Sequence, residues 1–91
     1  MTFEVKATGR FKKDYKGMQK RGAKMELLHD IIALLQQGVP LPERYRDHPL
    51  SGTYTGHREC HIKPDWLLVY YVEKHILVLT LTRTGTHSDL F

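Results

Sequence analysis

Cysteine is nearly absent. Cys60 stands alone in 91 residues, so no internal disulfide can form, and a reducing compartment such as the cytoplasm is expected. Long apolar runs are missing as well. No stretch approaches the ~20 residues that cross a bilayer, and Met1-Thr2-Phe3-Glu4-Val5 shows no charged segment leading into a long apolar one. Neither a membrane span nor secretion is expected. Repeats, linkers and low-complexity tracts are lacking, and the length suits one domain over residues 1–91. Proline is rare and uneven: of four, Pro40, Pro42 and Pro49 fall in one stretch. Acidic residues are scarce at the start. Met1 to Lys24 holds Glu4 and Asp14 against eight cations (Lys6, Arg10, Lys12, Lys13, Lys16, Lys20, Arg21 and Lys24), whereas the rest has six cations and eight anions. The basic bias toward anionic partners, net +4, therefore sits in the first quarter.

What is present argues for a folded chain. At 41% hydrophobic and 10% aromatic residues, disorder is excluded. Thr2 to Ala7 alternates, with Phe3 and Val5 on one face, as a short strand does. Thr8 suits a helix N-cap, and Phe11, Tyr15 and Met18 follow at helical spacing, with Lys12, Lys13, Lys16 and Lys20 opposite. Gly22 breaks the pattern. Lys24 to Gln37 carries a wide apolar face through Met25, Leu28, Ile32 and Leu35 interleaved with Leu27, Ile31 and Leu34, which predicts a second helix covering a sheet. The two helices should form an antiparallel hairpin. Val39 to Gly52 reads as an irregular connection. Three strands should follow, at Thr53 to Ile62, Trp66 to Glu73 and Ile76 to Arg83, then a short tail after Gly85. Trp66 to Val72 is apolar on both faces, which marks a central strand. The predicted fold is α+β, in the order β-α-α-β-β-β, with a helical hairpin packed on a mainly antiparallel sheet.

Six histidines are many for this length. His61 closes one strand and Asp65 opens the next across Lys63-Pro64. A simple meander returns Arg83 toward the same edge, with His87 one glycine turn later and Phe91 one helical turn beyond that. His48 lies in the proline-rich connection. Three histidines, one aspartate and one arginine, without a cysteine pair or carboxylate cluster, suit cleavage of RNA by its own 2′-hydroxyl. That reaction needs a base, an acid and a cation for the phosphorane charge. Histidine supplies either proton role near neutrality, and no metal or other cofactor is required. Blander readings stand beside this one. His29 and His75 read as solvated surface residues and Trp66 as core. Arg83 could bridge Asp65 or Asp89, and Asp65 could cap its turn. A zinc set from His57, Cys60 and His61 is not expected, because alternation puts Cys60 on the other face of the strand. Cys60 reads as a buried strand thiol. The density of cations in the first helix favours a surface that tracks phosphates.

Several segments together resemble a known family. They are Phe11-Lys12-Lys13-Asp14-Tyr15-Lys16, the run Leu41 to Gly52 with its Asp47-His48-Pro49-Leu50, the run His61 to Tyr70 with its His61-x-x-x-Asp65-Trp66, and Arg83-Thr84-Gly85-Thr86-His87 with the tail to Phe91. In order and over nearly the whole chain, they are similar to the YafQ-type toxins of the RelE/ParE toxin superfamily. The resemblance implies a ribosome-dependent endoribonuclease that cuts mRNA in the decoding site, and a cognate antitoxin that silences it. By position it implies His48, His61, Asp65 and His87 as the acid/base set, Arg83 as phosphate ligand and Phe91 as the terminal aromatic near the scissile nucleotides. His87 is then expected as general acid, with His61 or Asp65 on the base side and His48 helping to position or exchange the 2′-proton. Lys12, Lys13, Lys16 and Lys20 are expected to dock on ribosomal RNA. The rivals are a ParE-like toxin that poisons a topoisomerase without cutting RNA, an inert RNA- or antitoxin-binding module, and a free-standing ribonuclease.

Overall fold

The computed structural model describes residues 2–91. The first strand, β1 (Glu4–Ala7), is shorter than the alternation from Thr2 suggested, although Phe3 is buried as expected. Thr8 then starts helix α1 (Gly9–Lys20): its hydroxyl accepts the Phe11 N–H at 3.0 Å and donates to the Thr82 carbonyl at 2.7 Å. One residue therefore caps the helix and ties it to the last strand. Phe11 and Met18 are buried, while Lys12, Lys13, Lys16 and Lys20 are exposed. Gly22, at φ 79°, turns the chain into α2 (Met25–Gln36), whose Leu28, Ile31 and Leu35 are buried. Each such side chain contributes about 1.5–3 kcal/mol on leaving water. The helices lie on one face of the sheet and are linked where the Tyr15 hydroxyl meets His29 Nε2 at 2.6 Å, the rings stacked 5.8 Å apart. His29 is thus a partner of Tyr15 rather than a merely solvated residue.

The connection after α2 is more ordered than its prolines suggested. It holds two single-turn 3-10 helices, Glu43–Tyr45 and Gly52–Tyr54, around a two-residue strand, β2 (His48–Pro49). The strand predicted from Thr53 begins only at Arg58, because the segment before it is taken up by the second of these turns and by Gly56 at φ 89°. Strands β3 (Arg58–Lys63), β4 (Trp66–Glu73) and β5 (Val78–Gly85) complete the sheet. β5 starts two residues later than the pattern predicted, since Leu77 adopts φ 54° and ends the reversal. The expected tail is a helical turn, α3 (His87–Leu90).

The sheet order is β1-β5-β4-β3-β2; β1 runs parallel to β5 and every other pair is antiparallel. β4, apolar on both faces, is central as expected. Its even-numbered residues Trp66, Leu68 and Tyr70 join Phe11, Leu28, Ile31, Cys60, Leu79 and Leu81 in the main core under the helices. Leu67 and Val69 point the other way and are covered by Leu90, Leu50 and Tyr54. α3 and the connection between α2 and β3 are therefore what shields the helix-free face, and that face carries the site.

Candidate active site

Pairing of β2 with β3 sets His48 opposite Glu59. Period-two alternation along β3 puts His57, Glu59 and His61 in one row on the helix-free face, while Cys60 and Ile62 enter the main core. His48 Nε2 lies 3.0 Å from Glu59 Oε2, and His61 Nε2 lies 3.7 Å from the same oxygen. His48 Nδ1 is 2.6 Å from the Arg46 carbonyl. Both ring nitrogens of His48 thus face oxygen atoms. Arg46 makes its carbonyl available by adopting φ 48°, ψ 45°, a left-handed conformation unusual for a residue with a side chain. Next to it, Asp47 accepts from the Tyr70 hydroxyl at 2.6 Å and from Arg58 Nε at 3.1 Å, which anchors the strand that presents His48. Burial and the Asp47 carboxylate together push the Tyr70 hydroxyl well above its ordinary range.

His87 completes the row. The ring centroids of His48 and His61 are 6.1 Å apart, and those of His61 and His87 are 5.8 Å apart. Asp65, in the turn between β3 and β4, accepts from the His87 N–H at 3.0 Å and faces His87 Nδ1 at 2.7 Å with the same oxygen. These two bonds, the backbone one foremost, hold the Asp65 carboxyl below its usual range. They also fix the ring so that Nε2 is the free nitrogen. The turn leading into His87 depends on Gly85, at φ 155°: a Cβ there would lie 2.9 Å from Asp89 Oδ2. That carboxylate closes a capping box with Thr86 and pairs with Arg21 at 2.7 Å, so α3 is pinned to the end of α1. Arg21, first among these contacts, holds the Asp89 carboxyl far below its ordinary range.

Arg83 sits opposite Val69, but neither Asp65 nor Asp89 is its partner. Asp14 of α1 receives its Nε at 2.7 Å and its Nη2 at 3.1 Å, and also accepts the Thr84 N–H at 3.2 Å. Asp14 so continues the edge of β5 beyond the end of β1. The fork engages Nε and Nη2 of a largely buried guanidinium, and the Tyr54 side chain lies against the same group. Phe91 is 63% exposed, with its ring edge-on to Tyr54 at 5.8 Å. The four lysines are on the helix-covered side of the sheet, away from the histidine row; Lys12, Lys13 and Lys16 share a shallow groove with Gly9 and Arg10. His75 is exposed, and Trp66 is buried with its Nε1 donating to Thr84 Oγ1 at 3.0 Å.

Two residues escaped the sequence reading. Glu59, only 5% exposed, has Oε1 buried without a partner while Oε2 faces two histidines. Its alternation with His57 and His61 was a usable signal. Asp14 lies 69 residues from Arg83, and no local pattern reveals that pair. His57, Cys60 and His61 do not converge, as expected, since Cys60 is buried on the other side. A different set does: ligand atoms of His48, Glu59 and His61 lie within 4.8 Å of one another, so this triad could hold a metal ion. Beside His61 a cleft of about 490 Å³ is lined by Arg44, Arg46 and Lys63, with Asp30 across from them.

The chain matches known proteins over nearly its whole length. The family described as a bacterial toxin of type II toxin-antitoxin system, YafQ, matches residues 3–91. The mRNA interferase toxin YafQ of Escherichia coli K12 is 40% identical over 89 residues, covering 97% of this chain and 95% of that protein. YafQ in the E. coli DinJ-YafQ toxin-antitoxin complex superposes with a TM-score of 0.91 at 39% identity, covering 100% of this chain and 99% of that one. A metal-bound toxin from Helicobacter pylori does so with a TM-score of 0.91 at 42% identity over all of both chains. The chain belongs to the YafQ family of bacterial toxins of type II toxin-antitoxin systems.

Proposed function

We propose that this toxin is an mRNA interferase, an endoribonuclease that cuts mRNA in the ribosomal decoding site and so stops translation until a cognate antitoxin covers it. One observation carries the reading. Three imidazoles stand in a row on the helix-free face, with Glu59 bridging His48 and His61 and Asp65 bonded to His87 at the far end. A base takes the proton of the 2′-hydroxyl, the 2′-oxygen bonds to phosphorus, and the bond to the 5′-oxygen breaks as an acid protonates it. The products are a 2′,3′-cyclic phosphate and a 5′-hydroxyl.

His87 is the acid, with Asp65 orienting its ring through Nδ1. Asp65 is therefore poorly placed as the base. His61 takes that part, with Glu59 against it and His48 helping to position or exchange the 2′-proton. Arg83 meets the phosphate with the N–H groups that Asp14 leaves free, and Phe91 packs near the scissile nucleotides. Lys12, Lys13, Lys16 and Lys20 hold ribosomal RNA from the other side of the sheet. Each step uses only side chains, so the chemistry is read as metal-independent. No described helix is long and apolar enough to cross a membrane, and the ribosome as target places the toxin in the cytoplasm.

The test is a defined mRNA on programmed ribosomes, with cut ends mapped in EDTA. Cleavage that requires the ribosome, survives chelation and leaves a cyclic phosphate is expected. Loss of a general acid typically costs 10²–10⁴-fold, and His87→Ala should fall in that range. Intact mRNA from a toxic chain would move the reading to topoisomerase poisoning. Efficient cutting of naked RNA would instead make it a free-standing ribonuclease.

A further inference from the structure

Beside the acid/base row, the same face ends in an aromatic cluster of which the proposed chemistry uses only Phe91. His57 packs edge-on against Tyr71, with centroids 4.8 Å apart at 77°, and against Tyr54 at 5.7 Å and 77°. Tyr54 in turn meets Phe91 at 5.8 Å and 83°. Tyr54, His57 and Tyr71 are only half-buried, although four rings together could close a core. Three successive edge-to-face contacts hold the rings in a fixed array. Tyr54 also lies against the Arg83 guanidinium, where it helps to raise that group's pKa after Asp14.

Position gives this aromatic wall its meaning. Glu59 and His61 form the outward row of β3, with His57 just before the strand continuing it, and a strand advances about 7 Å for each two residues. The wall is therefore one such step from Glu59, at the opposite end of the strand from the cleft that Arg44, Arg46 and Lys63 share with Leu27 and Asp30 of α2. A single strand of RNA lying along this face past the reacting phosphate would meet the Arg83 guanidinium and the aromatic side chains beside it. That is the combination by which proteins hold single-stranded nucleic acid.

We propose that Tyr54, His57 and Tyr71, joined by Phe91, form a stacking subsite for the nucleobase flanking the cleaved phosphodiester, and so set which base is tolerated there. This rests on the ribonuclease reading above and names the substrate contact of that site. The probe is an mRNA carrying 2-aminopurine at the flanking position and a 2′-O-methyl group at the cut, held on programmed ribosomes. Added toxin should quench the fluorophore by stacking. Tyr54→Leu and Tyr71→Leu should weaken the quenching titration about 5- to 150-fold, the range of a lost base-aromatic stack. Tyr54→Phe and Tyr71→Phe should retain it, which separates stacking from hydroxyl chemistry and from misfolding. With unmodified mRNA pools, the leucine variants should lose base preference at the flanking position.

Toxin that co-sediments with ribosomes and cuts unmodified mRNA, yet leaves the probe bright, overturns the subsite and spares the ribonuclease reading. Toxin that cuts no mRNA overturns the ribonuclease reading itself. Leucine variants that quench and cut like wild type but lose the antitoxin would make the wall a protein contact, and that also overturns the proposal.

Discussion

On the helix-covered face of the sheet, Leu68, Tyr70, Leu79 and Leu81 meet Phe11, Leu28 and Ile31 in a continuous apolar layer. The opposite face carries a small apolar cluster of Leu67, Val69 and Leu90 and gives much of its area to His48, His57, Glu59, His61, Arg83 and Tyr71. One strand, β3, contributes Cys60 and Ile62 to the first face and Glu59 and His61 to the second. The same backbone thus answers to two selective demands at a period of two. Stability rests mainly on the first face, which leaves the second free to keep polar groups whose burial stabilises nothing. Glu59 shows the cost: its Oε1 is buried and unpartnered, a penalty that an apolar residue opposite His48 would remove.

The sharpest way to break this division is to cut each face separately. His87→Ala should lower ribosome-dependent cleavage about 10²–10⁴-fold, with urea stability within about 0.5 kcal/mol of wild type because the ring is exposed. Leu28→Ala, at a fully buried position, should cost about 2–5 kcal/mol while each folded molecule still cuts at the normal rate. If His87→Ala unfolds the chain, or Leu28→Ala silences folded protein, the two faces are not separable.

Asp14→Asn tests a residue that joins them. Its carboxylate reaches from α1 to Arg83 and the Thr84 N–H. Removing the charge leaves a largely buried guanidinium without its counter-ion, and a charged hydrogen bond of this kind is worth about 1.5–3 kcal/mol. The arginine, no longer held as a fork, should also bind the phosphate less well, so cleavage and stability fall together. A variant that loses stability alone would separate Arg83 from the chemistry.

Gly85→Ala acts at the other joint. The added Cβ meets Asp89 at 2.9 Å on a backbone with φ 155°, and strain of this sort costs about 1–3 kcal/mol. Relief requires α3 to move, and His87 moves with it. Cleavage should fall further than the stability change explains, and Gly85→Ser should behave the same way. Unchanged activity in either would mean that α3 tolerates displacement.

These joints mark where the sequence stopped being readable. The helices and the central strand follow from spacing within a dozen residues, and Thr8 caps α1 as its position implied. β2 is two residues long and exists only because His48 and Pro49 find Glu59 and Arg58, so no periodicity could reveal it. The late starts of β3 and β5 reflect positive-φ residues, of which Leu77 is a type that gives no warning. The three histidines of the candidate row and Asp65 could be picked out one by one. The partner of Arg83 could not, because Asp14 meets it only after α1 docks on the edge of β5. Glu59 was hidden by its setting between Arg58 and Cys60, although its parity with His57 and His61 already placed it on the open face.

The smallest expected effect concerns how firmly the free face holds its own acid. Asp65 is exposed, yet the His87 N–H and ring both bond to its Oδ1 and lower its pKa from the ordinary carboxylate value of about 3.9. A carboxyl lowered by folding contributes its stabilisation above the unfolded value and loses it as pH falls through the folded one. The contact should therefore be complete at neutrality and survive into moderately acidic solution. It should open only below about pH 3.9, with the Asp65 carboxyl carbon and the His87 amide moving together in an NMR titration. Asp65→Asn keeps an oxygen acceptor but removes the charge, so its His87 amide should show no such step. A wild-type midpoint at or above the ordinary value would mean that His87 is not held by Asp65 in solution, and the orientation of the proposed acid would then need another cause.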